Sequence, residues 1–436
     1  MSAETSSEKH EWKGDLKETK KAAKSGFWGA IAEYYDFSLY ATAAALIFPT
    51  VFFGGQENGQ LANIASLASF GVAYLARPLG ALVLGHLGDT WGRKKTLYLS
   101  LGSMGVATTV IGFLPSYDTI GSAAVWILLA MRLVQGFSAG GEQAGSNTLT
   151  SEWAPPEKRG FYTAFTMHGL AIGTVLALFV YVPFGNNDSF LYSWGWRIPY
   201  WIAIPIIMYA LWVRSKVSDP PRKNEGRELT AEEKEASSVV TLFRYHWKNV
   251  IRVIFMGQYA ITGVLISNYA LNYGTKYWNI PRSTLLALAT VSLLVGLAVQ
   301  PLWASWSDKI GRKPVYLISM IALVVLFPVY FWGLQLQNVV FLSVVIVIMG
   351  LISTGGNVVQ APMYTEMFPT ELRMTGYAVS TQIGNIIVGF TPMIAALLVQ
   401  EGPWGWVPVL IFTSIMMILG IISCISNKET KGSDIL

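Results

Sequence analysis

Runs of about twenty apolar residues recur along the chain, each closed by a short polar connection. At 1.5 Å per residue such a run crosses the roughly 30 Å hydrocarbon core of a bilayer, so each predicts one membrane-spanning helix. The predicted helices lie near 27–53, 61–87, 96–114, 122–147, 160–183, 195–213, 249–272, 284–306, 314–332, 338–363, 375–399 and 404–426. Lipid cannot satisfy open backbone groups, so everything inside the bilayer is expected to be helical. Residues 1–26 are polar and lysine-rich and lack an apolar core followed by a cleavage site, so they read as a solvated tail, not a signal peptide. Only the connection 214–248 is long and charged. It follows the sixth helix and separates a six-helix bundle, 27–213, from a second, 249–426, with 427–436 as a further polar tail. The predicted fold class is all-α integral membrane, with twelve transmembrane helices in two six-helix pseudo-repeats.

Charge sets the orientation. The first tail, the even-numbered connections and the last tail carry 25 of the 31 Lys and Arg residues, and the opposite side carries two, Lys276 and Arg282. Basic residues stay on the cytoplasmic side, so both termini are expected there, in a multi-pass protein of the inner or plasma membrane. Composition narrows the class further. Of 436 residues, 53% are hydrophobic and 13% charged, about half the charge of a soluble domain. A net charge of +5 over this length is too weak to imply nucleic-acid binding, and the single cysteine, Cys424, excludes a disulfide framework or a CxxC metal site. No HExxH or GxxxxGK[ST] motif is present, which argues against a metalloenzyme and against ATP-driven pumping. No cofactor and no metal are expected; the partners expected are a small molecule and membrane lipid, and the chain is expected to act as a monomer.

The halves repeat each other. Gly85, Asp89, Gly92 and Arg93 fall between the second and third helices, and Asp308, Gly311 and Arg312 between the eighth and ninth, at an offset of 219 residues. Glu152 and Arg159 after the fourth helix share a seven-residue spacing with Glu366 and Arg373 after the tenth. Singly, each loop reads as a tight positive-inside turn. Two copies at matching positions predict a parallel-repeat carrier whose substrate site lies between the halves, with these loops acting as gates.

Charges inside the bilayer carry the chemistry, since each costs roughly 2.5–3.5 kcal/mol at a helix centre on insertion scales. Glu33 and Asp36 share a face of the first helix with Tyr40. Asp36 of the first helix, Arg77 of the second and Arg132 of the fourth reach a similar depth, about 14–15 Å from a membrane face; Glu142 lies nearer the cytoplasmic end. Three carboxylates against two arginines leave one carboxylate free to gain and lose a proton, as a proton-coupled carrier requires. The alternatives are a static Glu33–Arg132 bridge and a Glu142 bonded to backbone. Arg77 suits a substrate carboxylate because a guanidinium grips it with two bonds, unless an intrahelical partner satisfies it. Gln258, Asn268, Asn272, Gln382 and Asn385 are candidate substrate contacts or interhelical glue. His168 is a candidate proton shuttle or a packing residue.

Several stretches resemble the major facilitator superfamily, and within it the metabolite:proton symporter branch of shikimate, α-ketoglutarate and proline/betaine permeases. They are Glu33-Tyr34-Tyr35-Asp36-Phe37, Ala76-Arg77-Pro78-Leu79-Gly80, Arg132 through Glu142, Trp194-Gly195-Trp196-Arg197-Ile198-Pro199 and Pro362 through Phe368. The resemblance covers essentially the whole chain and is nearest the shikimate-type members. It implies uptake of a small organic acid by proton-coupled alternating access, with the proton as coupling ion. A compatible-solute symporter and an ion-independent uniporter or exchanger are the other readings. By analogy with proton-coupled sugar carriers of the superfamily, Asp36 carries the proton and Arg132 tunes it. Two positions depart from the family pattern. Thr90 stands where a basic residue is usual, which implies a weaker latch in that half, and Tyr34 stands where relatives have Trp.

Overall fold

The computed structural model describes residues 15–54, 59–181, 188–219, 238–266, 273–274, 278–398, 400 and 404–431. Among these the long elements are all helices: α1 (Leu16–Leu46), α2 (Gly59–Trp91), α3 (Arg93–Phe113), α4 (Ser122–Trp153), α5 (Arg159–Phe179), α6 (Arg197–Ser215), α7 (Trp247–Met256), α8 (Arg282–Ile310), α9 (Arg312–Gln335), α10 (Val339–Glu366), α11 (Arg373–Leu398) and α12 (Val407–Ile425). A 3₁₀ turn, Gly257–Tyr259, and a short helix, Ala260–Val264, continue α7. Eight helices of the described residues are long and apolar enough to cross a membrane. Large apolar side chains such as Leu79, Trp126, Leu302 and Val340 stand exposed on the outside of the bundle, where lipid would cover them.

α1 starts at Leu16, not near residue 27. The Asp15 carboxylate accepts a hydrogen bond from the Lys17 backbone N–H (2.7 Å) and caps the helix. Thr19, Ala22 and Ser25 of this first stretch are buried, so part of what reads as solvated tail is packed helix. The connection 214–248 likewise contains a short helix, Ser238–Tyr245, while residues 220–237 lie outside the described set.

Small residues bring the site-bearing helices together. A Cβ on Gly136 or Gly140 of α4 would stand 2.2 Å from the Ala73 carbonyl oxygen or 2.3 Å from that of Arg77, both on α2. Gly169 and Gly173 of α5 lie equally close to the backbone of Phe27 and Ile31 on α1. Each pair has the Gly-x-x-x-Gly spacing that lets membrane helices touch backbone to backbone. The corners between α2 and α3 and between α8 and α9 turn on Gly92 and Gly311, at φ 109° and 112°, a region that side chains with a Cβ rarely enter.

Candidate functional site

Away from the α2–α3 corner, the buried side chains of Arg77, Arg132 and Arg214 lie among the buried carboxylates of Glu33, Asp36 and Glu142 in the first bundle. On α1, the Asp36 Oδ1 accepts hydrogen bonds from Thr108 Oγ1 of α3 (2.6 Å) and Gln135 Nε2 of α4 (2.8 Å). Arg132 does not pair directly with Asp36. It donates to Gln135 Oε1 (3.1 Å), so Gln135 links the two charges. Asp36 Oδ2 and Arg132 Nε and Nη2 are buried with no hydrogen-bond partner among the described residues. The Arg132 guanidinium sits over the rings of Tyr40 (4.0 Å), Phe37 (4.4 Å) and Phe70 (5.1 Å), aromatic faces that offset its lost hydration.

Arg77 lies 4.2 Å from the same Phe37 ring and 5.0 Å from that of Tyr74. Its ionic partner is Glu33, at 3.8 Å, not a group on its own helix. The expected alternative of a Glu33–Arg132 bridge is therefore not formed. Tyr74 stands against the second bundle, since a Cβ on Gly389 of α11 would lie 3.8 Å from its ring. Tyr259 donates to Asn357 Oδ1 (2.9 Å) on α10.

Glu142 has a partner the sequence count omitted. Arg214, assigned to the connection after the sixth helix, is fully buried and grips Glu142 at 2.6 and 3.1 Å, while also donating to the Leu97 carbonyl (2.9 Å). The balance of these groups is thus three against three, and Asp36 is the one of these carboxylates with no ion pair among the described residues. Tyr40 is fully buried, shares a hydrogen bond with Ser69 (2.8 Å) and packs its ring against the Arg132 guanidinium. Gln258 donates to the Ile254 carbonyl of its own helix and to the Gly384 carbonyl of α11, which makes it a tie between helices. Asn385 donates to Gln382 Oε1 (3.3 Å). Asn268 and Asn272 lie outside the described residues. His168 of α5 meets the Leu297 backbone of α8, across the halves. Gly136 to Gly140 also has the G-x-S-x-G spacing of hydrolases. Ser138 there sits inside α4, donating to the Val134 carbonyl and sharing a hydrogen bond with Ser103, and forms no nucleophile elbow.

At the end of the bundle that carries the Gly92 and Gly311 corners, the halves are latched reciprocally. Asp89, at the end of α2, accepts from the Met374 N–H (3.1 Å), the Thr375 N–H (2.8 Å) and the Thr375 hydroxyl (2.5 Å), at the start of α11. Asp308, at the end of α8, accepts from the Gly160 and Phe161 N–H groups (2.9 Å each) at the start of α5. A carboxylate at a helix C-terminus opposes the local dipole. Here the facing N-terminus of a helix in the other half, with Arg93 or Arg312 at 2.6 Å, reverses that cost. Gly85 is required by close approach, since a Cβ there would stand 2.8 Å from the Thr375 Cα. Glu152 accepts from Arg93 (3.1 Å) and, across the halves, from Arg373 (3.0 Å). Its counterpart Glu366 accepts from Arg312 (3.4 Å) and Thr430 (2.7 Å), while Arg159 donates to the Ser151 carbonyl (3.3 Å). Asp219 and Glu429, in segments that follow α6 and α12, cap α3 and α9 by accepting from Lys94 N–H (2.8 Å) and Arg312 N–H (2.8 Å). Sequence spacing had not singled out these two carboxylates.

The profile of the Major Facilitator Superfamily matches residues 26–275 and 251–434, nearly the whole chain in two overlapping pieces. The chain belongs to the Major Facilitator Superfamily. Among relatives of this superfamily member, the shikimate transporter of Escherichia coli is 33% identical over 95% of the chain and 96% of its own length. The proline/betaine transporter of Salmonella typhimurium is 30% identical over 95% and 84%. In structure, the proton:xylose symporter XylE bound to 6-bromo-6-deoxy-D-glucose superposes with a TM-score of 0.73, at 17% identity, over 96% of this chain and 98% of that one. The superfamily member is accordingly an all-helical transporter of the membrane, not an enzyme, and a multi-pass inner-membrane protein.

Proposed function

We propose that this transporter takes up a small carboxylate together with protons by alternating access, acting as a monomer with twelve membrane crossings and both termini in the cytoplasm. The latched end is then the cytoplasmic end, closed in this structure. The observation that carries the coupling is Asp36: fully buried, lacking an ion pair, and holding one oxygen unbonded among the described residues. A carboxyl so placed can be neutral in one state of the cycle and charged in another. Arg132, two hydrogen bonds away through Gln135, supplies the charge that rewards its ionisation. Arg77, with the half-buried Tyr34 and Tyr74 beside it, anchors the substrate carboxylate. Gln382 and Asn385 on α11 supply further substrate contacts from the second bundle. The relatives named for shikimate and for proline and betaine support a carboxylate, and those for proline and betaine support a second reading, a zwitterionic compatible solute. In sealed vesicles at clamped zero membrane potential, losing one coupled proton costs about tenfold in accumulation per unit of pH gradient. Asp36→Asn should show at least that loss while still exchanging substrate at equal pH. Accumulation at the wild-type level would remove Asp36 from the coupling path.

A further inference from the structure

Two buried ion pairs of the first bundle are made in opposite ways. Arg214 and Glu142 meet at 2.6 and 3.1 Å, and Arg214 spends its remaining donors on the Leu97 carbonyl, Ser25 and Ser146. That pair is saturated, as a structural tie should be. Arg77 and Glu33 come no closer than 3.8 Å, beyond hydrogen-bond reach. Glu33 Oε2 and Arg77 Nε are buried without a partner among the described residues, although Glu33 is 2% and Arg77 6% exposed. Buried polar groups left unpaired are costly, so stability does not explain this arrangement. The rings of Phe37 and Tyr74 cover the guanidinium, so its edge is what remains for a carboxylate.

We propose that Glu33 holds Arg77 as an internal stand-in for the substrate carboxylate, which displaces it as Glu33 takes up a proton that is then carried in addition to the one on Asp36. The proposal rests on the carboxylate symport reading above. The exchange balances: a Glu33 carboxylate on Arg77, plus a substrate carboxylate and a proton, becomes a neutral Glu33 carboxyl and a substrate carboxylate on Arg77. No bond other than O–H is made, and the net charge of the pocket is the same before and after. A desolvated site can therefore load an anion without stranding a charge.

The groups acting on Glu33 are Arg77 from α2, Glu142 from α4, Arg214 from α6 and Asp36 one turn along α1. Since Arg214 is committed to Glu142, the cation within reach of Glu33 is Arg77. From α5, which lies along α1, Gly169 and Gly173 face the helix, and His168 meets Leu297 instead.

The test uses the full chain in sealed vesicles at zero clamped potential, with shikimate, proline and glycine betaine as probes. The accumulation ratio at which net flux stops is read against the imposed pH gradient. The wild type should follow the second power of the proton ratio, about a hundredfold per pH unit. Glu33→Gln and Asp36→Asn should each follow the first power, about tenfold, and the double variant should show no accumulation. First-power behaviour in the wild type, unchanged in Glu33→Gln, overturns this inference and leaves symport standing. A wild type without pH-driven accumulation overturns the symport reading itself, and carriage of none of the probes overturns the carboxylate reading and the inference with it. Glu33 can also be read without altering it. Adding a carried probe to purified Asp36→Asn in weakly buffered solution with a pH indicator should consume a proton on binding, and binding without that uptake overturns the inference.

Discussion

Asp89 offers a quantitative test of the latch. Its carboxylate makes three hydrogen bonds to the start of α11 and one close ion pair to Arg93 on its own side. Only the first three are lost when the halves separate at this end; the Arg93 pair lies within one half and persists. Hydrogen bonds to a charged acceptor contribute about 1.5–3 kcal/mol each, net of exchange with water. The three here share one carboxylate and are not additive, so the bias is closer to the roughly 2–5 kcal/mol of one buried charged contact. Asp89→Ala should therefore shift the equilibrium between latched and open states by about 30-fold or more toward open. Asp89→Asn, which keeps one acceptor for the Met374 and Thr375 N–H groups, should shift it less. Spin labels at Thr90 and Glu371, on opposite sides of the latch, would report the two populations as distances, and uptake kinetics would report the cost. Maximal uptake should slow, with little change in apparent substrate affinity. An unchanged distance distribution, or a loss confined to affinity, would refute the assignment of these bonds to conformational balance.

Arg214→Gln leaves Glu142 buried and unpaired, which should destabilise the protein by about 3–5 kcal/mol; thermal unfolding should recover much of this in the Glu142→Gln/Arg214→Gln double variant. Gly140→Ala pushes a Cβ into the α2 backbone and should sharply lower the folded yield, whereas Gly102→Ala, with nothing within 4 Å, should be neutral by size-exclusion profile. Glu429→Ala uncaps α9 and releases the Arg312 and Lys313 N–H groups, which should cost about 0.5–2 kcal/mol in thermal stability.

Much of the architecture was legible in the chain because a bilayer imposes a coarse rule. Any apolar run of sufficient length must be helix, and eight helices among the described residues are such runs. The duplicated Asp–Gly–Arg corners and the buried charges at 33, 36, 77 and 132 could be found from spacing alone, since a charge in lipid always needs a reason. Even the remedy for Asp89 and Asp308 follows from helix dipoles: a carboxylate at a C-terminus must find a cation or a facing N-terminus. Which group answers which was beyond that rule. Arg132 meets Gln135 and not Asp36, Arg77 meets Glu33 at arm's length, and Arg214 leaves its apparent place in a loop to hold Glu142. Gln135 lies one turn from Arg132 on α4, but the partners of Arg77 and Glu142 lie on a different helix or at an unforeseen helix end, and the rotation of each about its axis is set by packing contacts such as Gly136 on Ala73. One residue of rotation turns a side chain by 100°, so hydropathy, which is blind to helix rotation, could name the charges while only the packed bundle could pair them.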